Sequence, residues 1–290
     1  MTPEESNAHE SSPADGYIFT ELLFRCMTPL HVGCGQDVGV VDLPVIRERT
    51  TGYPFIPGSG IRGAFRDVCE RRDDVLTRRL LGSADSEQAG CVIVGDARLL
   101  LFPVRSHPGV FRWITCPFVL SRYAEDTDYF LGGRTALGQL PSPADDTYAG
   151  PEPRSNPLML EEFPFASGPA WTSPVAVEGV DTNRVVLVHD EVFAYFVRNA
   201  TIVTQHNHLS AAKTVLQGQL FSVEAVPPEA VFYGFVGSTA ERAEEATLDA
   251  NATGTHLREL LTAGASPRLS ALILGGHEGT GLGLTRVIWK

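Results

Sequence analysis

The pattern in this 290-residue chain that says most about chemistry lies in residues 31–67, HVGCGQDVGVVDLPVIRERTTGYPFIPGSGIRGAFRD. Asp42 is a single carboxylate in the apolar run Val38-Gly39-Val40-Val41-Asp42-Leu43-Pro44-Val45, and Arg47, Glu48 and Arg49 follow at once. A buried charge without a partner is expensive, so an acid in such a run either pairs with a nearby arginine or takes part in chemistry. His31, flanked by Leu30 and Val32 and close to Gly33 and Gly35, is a proton shuttle, a ligand or a hydrogen-bonded structural residue, and it ranks below Asp42.

Downstream, Pro57-Gly58-Ser59-Gly60 forms a turn cluster, and Ile61, Ala64, Phe65, Val68 and Cys69 then recur at the spacing of one helical face. Ser59 is the expected N-cap. The first turn of such a helix offers unpaired backbone N–H groups and a partial positive charge, which together suit an anion. Arg62 in that turn and Arg66 one turn later would add guanidinium groups; the competing reading is a capped surface helix with solvated arginines. Near the end, Gly275-Gly276-His277-Glu278-Gly279-Thr280-Gly281-Leu282-Gly283 resembles a nucleotide-binding loop only superficially. It has no GxxxxGK[ST] pattern, and a strand-like run, Leu284 to Trp289, follows it where a helix would be needed. His277 and Glu278 are polar loop residues of the kind that usually face water.

Four strings in order, TPLHVGCG, GVVDLPVIRERTTGYPFIPGSGIRG, VGDARLLLFPVRS and LILGGHEGTGLGLTRV, resemble the backbone subunit of the type III-B (Cmr-type) CRISPR effector complex, a member of the RAMP superfamily. They spread from residue 28 to residue 287. The resemblance implies an α+β fold with an RRM-like (ferredoxin-like) palm, a β-hairpin thumb and insertions. It implies copies stacked head to tail along a CRISPR RNA, contacts to other subunits of the complex, and metal-dependent cleavage of complementary single-stranded target RNA at regular intervals. The aspartate of its GVVD motif corresponds to Asp42, as catalytic residue and possible metal ligand. Glu224, in FSVEAVP, falls where relatives carry a glutamate near the cleavage site. The basic residue of the glycine-serine turn corresponds to Arg62, where a lysine is more usual, and Gly60 replaces a serine. Arg47, Arg49, Ser59, Gly60, Arg62 and Arg66, with Gly276, Gly279 and Gly281 of the closing loop, are the candidate RNA contacts. Three alternatives remain: a guide-binding scaffold without catalysis, the equivalent subunit of a type III-A complex, and a small-molecule enzyme with an acid in a glycine-lined pocket.

RNA carries its own nucleophile, the 2′-OH, so scission needs that oxygen, the phosphorus and the leaving oxygen brought into line. An aspartate can hold Mg²⁺ or Mn²⁺ or accept the proton, while arginine or the metal stabilises charge on the phosphoryl oxygens. One carboxylate binds such an ion weakly and leaves the substrate phosphate to complete the site.

Several elements must position these groups. Ile18 to Met27 is apolar on both sides and reads as a central strand. Helices are expected at about 60–72 and 74–81, and a strand pair at Cys91–Val94 and Arg98–Val104 turning at Gly95-Asp96. Residues 124–182 are rich in Pro, Gly, Asp and Ser, so the thumb and insertions are placed within 124–185. A strand end and short helix over Val185 to Val197, a hairpin from Ala200–Leu209 and Val215–Glu224, a strand at Phe232–Gly237 and a helix at Thr255–Ala263 complete the reading.

The division expected is a disordered tail over 1–16 and one RAMP domain over 17–290. With 43% hydrophobic residues the chain can bury a substantial core. The net charge of −12 opposes phosphate binding unless the basic residues gather, as eight arginines between Arg47 and Arg79 do. Five cysteines without a CxxC pair point to a reducing cytoplasm and no structural zinc, with Cys34 filling a tight turn. No apolar run reaches transmembrane length, and the N-terminus has no signal-peptide pattern.

Overall fold

The computed structural model describes residues 16–35, 40–83, 88–133, 137–152, 155–209, 215–241, 247–262 and 269–290, with the backbone alone at 208–209, 215–219 and 269–270. The expected tail, save Gly16, lies outside the described residues, as do Val38 and Gly39.

In chain order the elements are β1 (Ile18–Cys26), β2 (Phe55–Ile56), α1 (Gly58–Glu70), α2 (Asp74–Leu81), β3 (Val92–Val94), β4 (Ala97–His107), β5 (Val110–Thr115) and α3 (Pro117–Leu131). Then come β6 (Thr147–Gly150), β7 (Leu158–Leu160), β8 (Phe163–Ala170), β9 (Val185–Leu187), α4 (Asp190–Asn199), β10 (Ile202–Leu209), β11 (Val215–Ala225), β12 (Val231–Ser238), α5 (Ala250–Thr262), β13 (Leu269–Ile273) and β14 (Leu284–Trp289). The architecture is mixed α and β. A twelve-stranded sheet runs β13-β14-β1-β12-β4-β5-β9-β6-β8-β7, with β2 on β4 and β3 on β12, while β10 and β11 form a separate two-stranded sheet. The pairings β5–β9 and β6–β8 are parallel and the other named strand pairs antiparallel.

β1 is central, as its two-sided apolar pattern requires: it is flanked by β12 and β14, and Leu22, Leu23, Phe24 and Cys26 are buried. Helix α1 buries Ile61, Phe65 and Cys69 at the expected spacing of four, and α5 buries Leu257 and Leu261. One expectation is corrected. Strands β3 and β4 do not pair with each other; both lie along β12, through Val236↔Val94 and Tyr233↔Arg98. The break at Gly95-Asp96 turns the Asp96 carboxylate onto the start of α1, where the Gly58 N–H donates to Oδ1 at 2.7 Å. Residues 124–185 hold the second half of α3 and the short strands β6, β7 and β8 of the main sheet, and β10–β11 form the separate pair.

Gly58 is required by close approach, since a Cβ there would lie 2.3 Å from the Val94 carbonyl oxygen. Gly58→Ala should therefore destabilise the chain by about 1–3 kcal/mol through backbone overlap at the helix start, read as a lower urea midpoint with unchanged slope.

Candidate nucleic-acid cleavage site

The site assembles around the last residues of β11. Leu30 and Val226 exchange backbone hydrogen bonds at 2.9 and 2.8 Å, and Leu43 lies beside Val223, donating to the Ser222 carbonyl and accepting from the Glu224 N–H, both at 3.0 Å. The stretches carrying His31 and Asp42 are thus clamped to one strand nearly two hundred residues away in sequence.

Asp42 is exposed, and Ser222 fixes its carboxylate. The Ser222 backbone N–H and hydroxyl each donate to Asp42 Oδ2 at 2.7 Å, and the Asp42 N–H donates to Ser222 Oγ at 2.9 Å. These donors favour the charged form and hold the Asp42 carboxyl below the ordinary carboxylate range. Among the described residues no arginine pairs with it. The ion pair with a neighbouring arginine, one expectation for this acid, does not form among the described residues.

Arginine pairing falls to Glu224 instead. It is buried, accepts from Arg47 Nη2 at 2.5 Å through Oε1, and accepts from the Val45 N–H at 2.9 Å through Oε2. Arg47 also donates to the carbonyls of Gly52 and Val197. Glu224 and Arg47 are therefore a structural pair tying residues 45–47 to β11, and neither is free for substrate in this arrangement. His31 is buried, with Nδ1 2.6 Å from the Glu224 carbonyl oxygen; a carbonyl only accepts, so Nδ1 carries the proton. Its ring meets that of His277 edge-on at 5.1 Å, and His277 lies 5.7 Å from His206, which stacks on Phe221 at 5.5 Å.

The expected N-cap of α1 is corrected. Pro57, not Ser59, is the N-cap, and the Asp96 carboxylate already occupies the Gly58 N–H. Arg62 donates to the carbonyls of Val92 and Leu81, and Arg66 to those of Leu81 and Gly82. These guanidinium groups close the C-terminus of α2, whose last carbonyls lack helical partners. Burial, then the charge of Arg66, lower the Arg62 pKa from its ordinary value. Ser59 and Gly60 are exposed, and a Cβ at Gly60 or Gly63 would meet nothing within 4 Å. Arg49 is exposed.

In the closing loop Gly275 and Gly276 pack on His31: a Cβ at Gly275 would sit 2.2 Å from its carbonyl oxygen, and the Gly276 N–H donates to that oxygen at 2.8 Å. Gly276 is thereby spoken for by the protein, whereas Gly279 and Gly281 face open space. Cys34 is exposed, contrary to its expected packing role. Among the described residues no three of His, Cys, Asp and Glu gather closely enough to hold a metal ion, and no helix is long and apolar enough to cross a membrane. Sequence reasoning missed Ser222 and His206; an isolated serine or histidine in a strand carries no signal until the register opposite it is known.

Ser222→Ala should raise the Asp42 pKa toward its ordinary value while keeping the backbone donor, a shift readable by carboxyl-carbon NMR titration. Removing the Glu224 carboxylate by Glu224→Ala should cost about 3–5 kcal/mol, because it leaves Arg47 largely buried without its counter-charge; equilibrium unfolding measures it.

The RAMP superfamily model matches residues 23–286. The CRISPR system Cmr endoribonuclease Cmr4 of Pyrococcus furiosus is 30% identical over 285 residues, covering 91% of this chain and 93% of that protein. The CRISPR system Cms endoribonuclease Csm3 of Methanothermobacter thermautotrophicus is 45% identical, but over 58 residues, 19% of this chain and 23% of that one. Among solved structures, a chain of the type III-B Cmr-beta complex bound to cognate target RNA superposes with TM-score 0.74 at 19% identity, covering 94% of this chain and 97% of that chain. Oligomeric Cmr4 from Pyrococcus furiosus gives TM-score 0.70 at 24% identity, covering 94% and 98%. With a family match across nearly the whole described length and a full-length relative of the Cmr type, this chain belongs to the RAMP superfamily.

Proposed function

We propose that this chain is the CRISPR-RNA-binding filament subunit of a type III-B effector complex, and that it cuts complementary target RNA at Asp42. The observation that carries the reading is an exposed carboxylate, pinned by two donors of Ser222 and free of any arginine among the described residues, at the foot of the freestanding β10–β11 hairpin. In a chain that matches an endoribonuclease over nine-tenths of its length, that position is where a cutting group is expected.

The hairpin then serves as the thumb and the sheet around β1 and β12 as the RRM-like palm. Val203 and Leu220 are 50% and 63% exposed on the hairpin, apolar side chains suited to wedging between guide and target and unstacking a nucleotide. Unstacking costs a few kcal/mol but frees the backbone for in-line attack by the 2′-oxygen. Guide backbone would track the bare face of α1 at Ser59, Gly60 and Gly63 and the open glycines Gly279 and Gly281, with Arg49 as an exposed cation. Arg62 and Arg66 lend charge from behind the carbonyls they bind. Further copies would stack head to tail along the guide, joined by the other subunits, in the cytoplasm.

Asp42 is the residue that would hold a divalent cation. Both Ser222 bonds fall on Oδ2, and no second acid joins it among the described residues, so the donor set suits a Mg²⁺ or Mn²⁺ ion bound by one protein carboxylate and completed by substrate phosphate. When bound, such an ion stabilises negative charge growing on the phosphoryl oxygens. Asp42 itself, held in its charged form, acts by electrostatics and orientation, and its lowered pKa makes it a poor proton acceptor.

In the reconstituted complex with guide RNA, Asp42→Asn should bind complementary target as the native chain does and cut it at least about a hundredfold more slowly. A native rate in that variant defeats the reading. Chelation by EDTA should stop cutting without releasing target, and magnesium should restore it.

A further inference from the structure

Helix α4 carries more apolar side chain than the core takes up. Phe193, Phe196 and Val197 are buried, whereas Tyr195 is 46% exposed. Phe163, which opens β8, is 39% exposed and meets the Tyr195 ring edge-on at 5.6 Å. This aromatic pair borders two cavities. The larger, about 390 Å³, is also lined by Phe165, Val192 and Phe196 and by the acids Asp145, Asp146 and Glu191. The smaller, about 260 Å³, is also lined by Glu161 and Glu162 and by residues 199–201, which lead into β10. Among the described residues no lysine, arginine or histidine lines either cavity. Of the five acids only Glu161 is in an ion pair among the described residues, with Arg105 at 3.2 Å, and the other four are exposed.

Taken singly, the acids have local reasons to be there. Glu191 lies in the first turn of α4, where negative charge is favoured, and Asp145-Asp146 form a turn before β6. Neither reason accounts for two large rings left half in water on the edge of an apolar cavity. Contiguous exposed apolar surface with a polar rim marks a place where something docks.

Charge selects the occupant. A nucleic-acid strand carries one negative charge per nucleotide and is repelled by this rim. The N-terminal residues MTPEESNAHESSPAD bring four acids and no lysine or arginine, and a second copy of the chain brings a net charge of −12. A different protein with a cationic, apolar segment suits both halves of the surface. Arginine suits it best, since a guanidinium plane stacks on aromatic rings while its N–H fork engages carboxylates, and Tyr with Arg is a pairing that dominates interface energetics.

We propose that the Phe163–Tyr195 ridge and its two cavities are a docking surface for another protein of the assembly, which presents an arginine beside an apolar side chain. The guanidinium lies against the ridge and donates to the carboxylates of Asp145, Asp146 or Glu191, and the apolar neighbour enters the larger cavity. The partner would thus sit beside residues 199–201, directly ahead of the β10–β11 pair. This surface is independent of the chemistry at Asp42.

The test places the photoreactive residue p-benzoylphenylalanine at position 195 of the chain in the assembled complex with guide RNA, irradiates it and maps the cross-link by mass spectrometry. The mapped segment is then titrated, as a synthetic peptide, against the native full chain, Phe163→Ser and the double variant Asp146→Lys with Glu191→Lys. The cross-link should fall on one segment of another protein that carries arginine next to an apolar residue. Peptide affinity should drop at least about tenfold in each variant, and likewise when the salt concentration is raised about tenfold, because the attraction is electrostatic and exposed. Replacing the peptide's arginine with glutamine should cause the same loss while leaving the chain itself untouched. A cross-link to RNA, to a second copy of this chain, to a segment without arginine or to nothing overturns the proposal, as does peptide binding indifferent to charge reversal and to salt. An Asp42→Asn complex should give the same cross-link, so a failure here leaves the nuclease reading standing.

Discussion

The clamp on residues 222–226, the end of β11 and the residue after it, is the constraint from which the site follows. Leu30 and Leu43 each bond to this strand through backbone groups, so the two glycine-bearing stretches near the N-terminus meet the foot of the hairpin in fixed register. Because side chains alternate along a strand, a slip of one residue would take Ser222 away from Asp42 and send the Glu224 carboxylate away from Arg47. The buried Arg47–Glu224 pair resists that slip, since separating it would strand a charge among Val45, Val223 and their neighbours. The pair is thus the support of the site, and the exposed acid is what it supports.

The same economy governs the arginines. Arg62 and Arg66 close α2, Arg47 locks β11, and Arg79 pairs with Glu241. Strong pairing with Arg79 draws the Glu241 pKa down to about 2. Guanidinium groups suit this work because several donors in a planar fork can satisfy clustered carbonyls at once. A net charge of −12 is then less contradictory for a polynucleotide-binding chain than it looks. On the proposed reading, phosphate contact would rest on exposed backbone at α1 and the closing loop, with an acidic body discouraging indiscriminate binding.

How much was legible in the sequence divides along the range of the interactions. Period and composition placed β1, α1, α2, α4, α5, β12 and β14 to within a few residues, because each buries a stripe or face of its own residues whatever it packs against. The order of the four motifs pointed to the family, and the type and isolation of Asp42 made it the candidate acid. The break at Gly95-Asp96 was visible as turn chemistry but misread as a hairpin, since nothing local says that β3 and β4 share the partner β12. The thumb was expected in the proline- and glycine-rich middle, whose strands β6, β7 and β8 join the main sheet, while the weakly alternating pair expected at 200–209 and 215–224 forms the separate two-stranded sheet β10–β11.

The sequence by itself determined the inventory: one acid in an apolar run, a glycine-opened helix, a glycine-rich closing loop and the family to which they belong. Only the tertiary structure decided which carboxylate would be paired and which left open, that the Asp96 carboxylate takes the Gly58 N–H at the start of α1, and that three histidines at positions 31, 206 and 277 share one cluster. The physical reason is separation along the chain. Charge pairing, burial and proton affinity are set by neighbours in space, and at this site those neighbours come from strands and loops that only backbone pairing across the fold brings together.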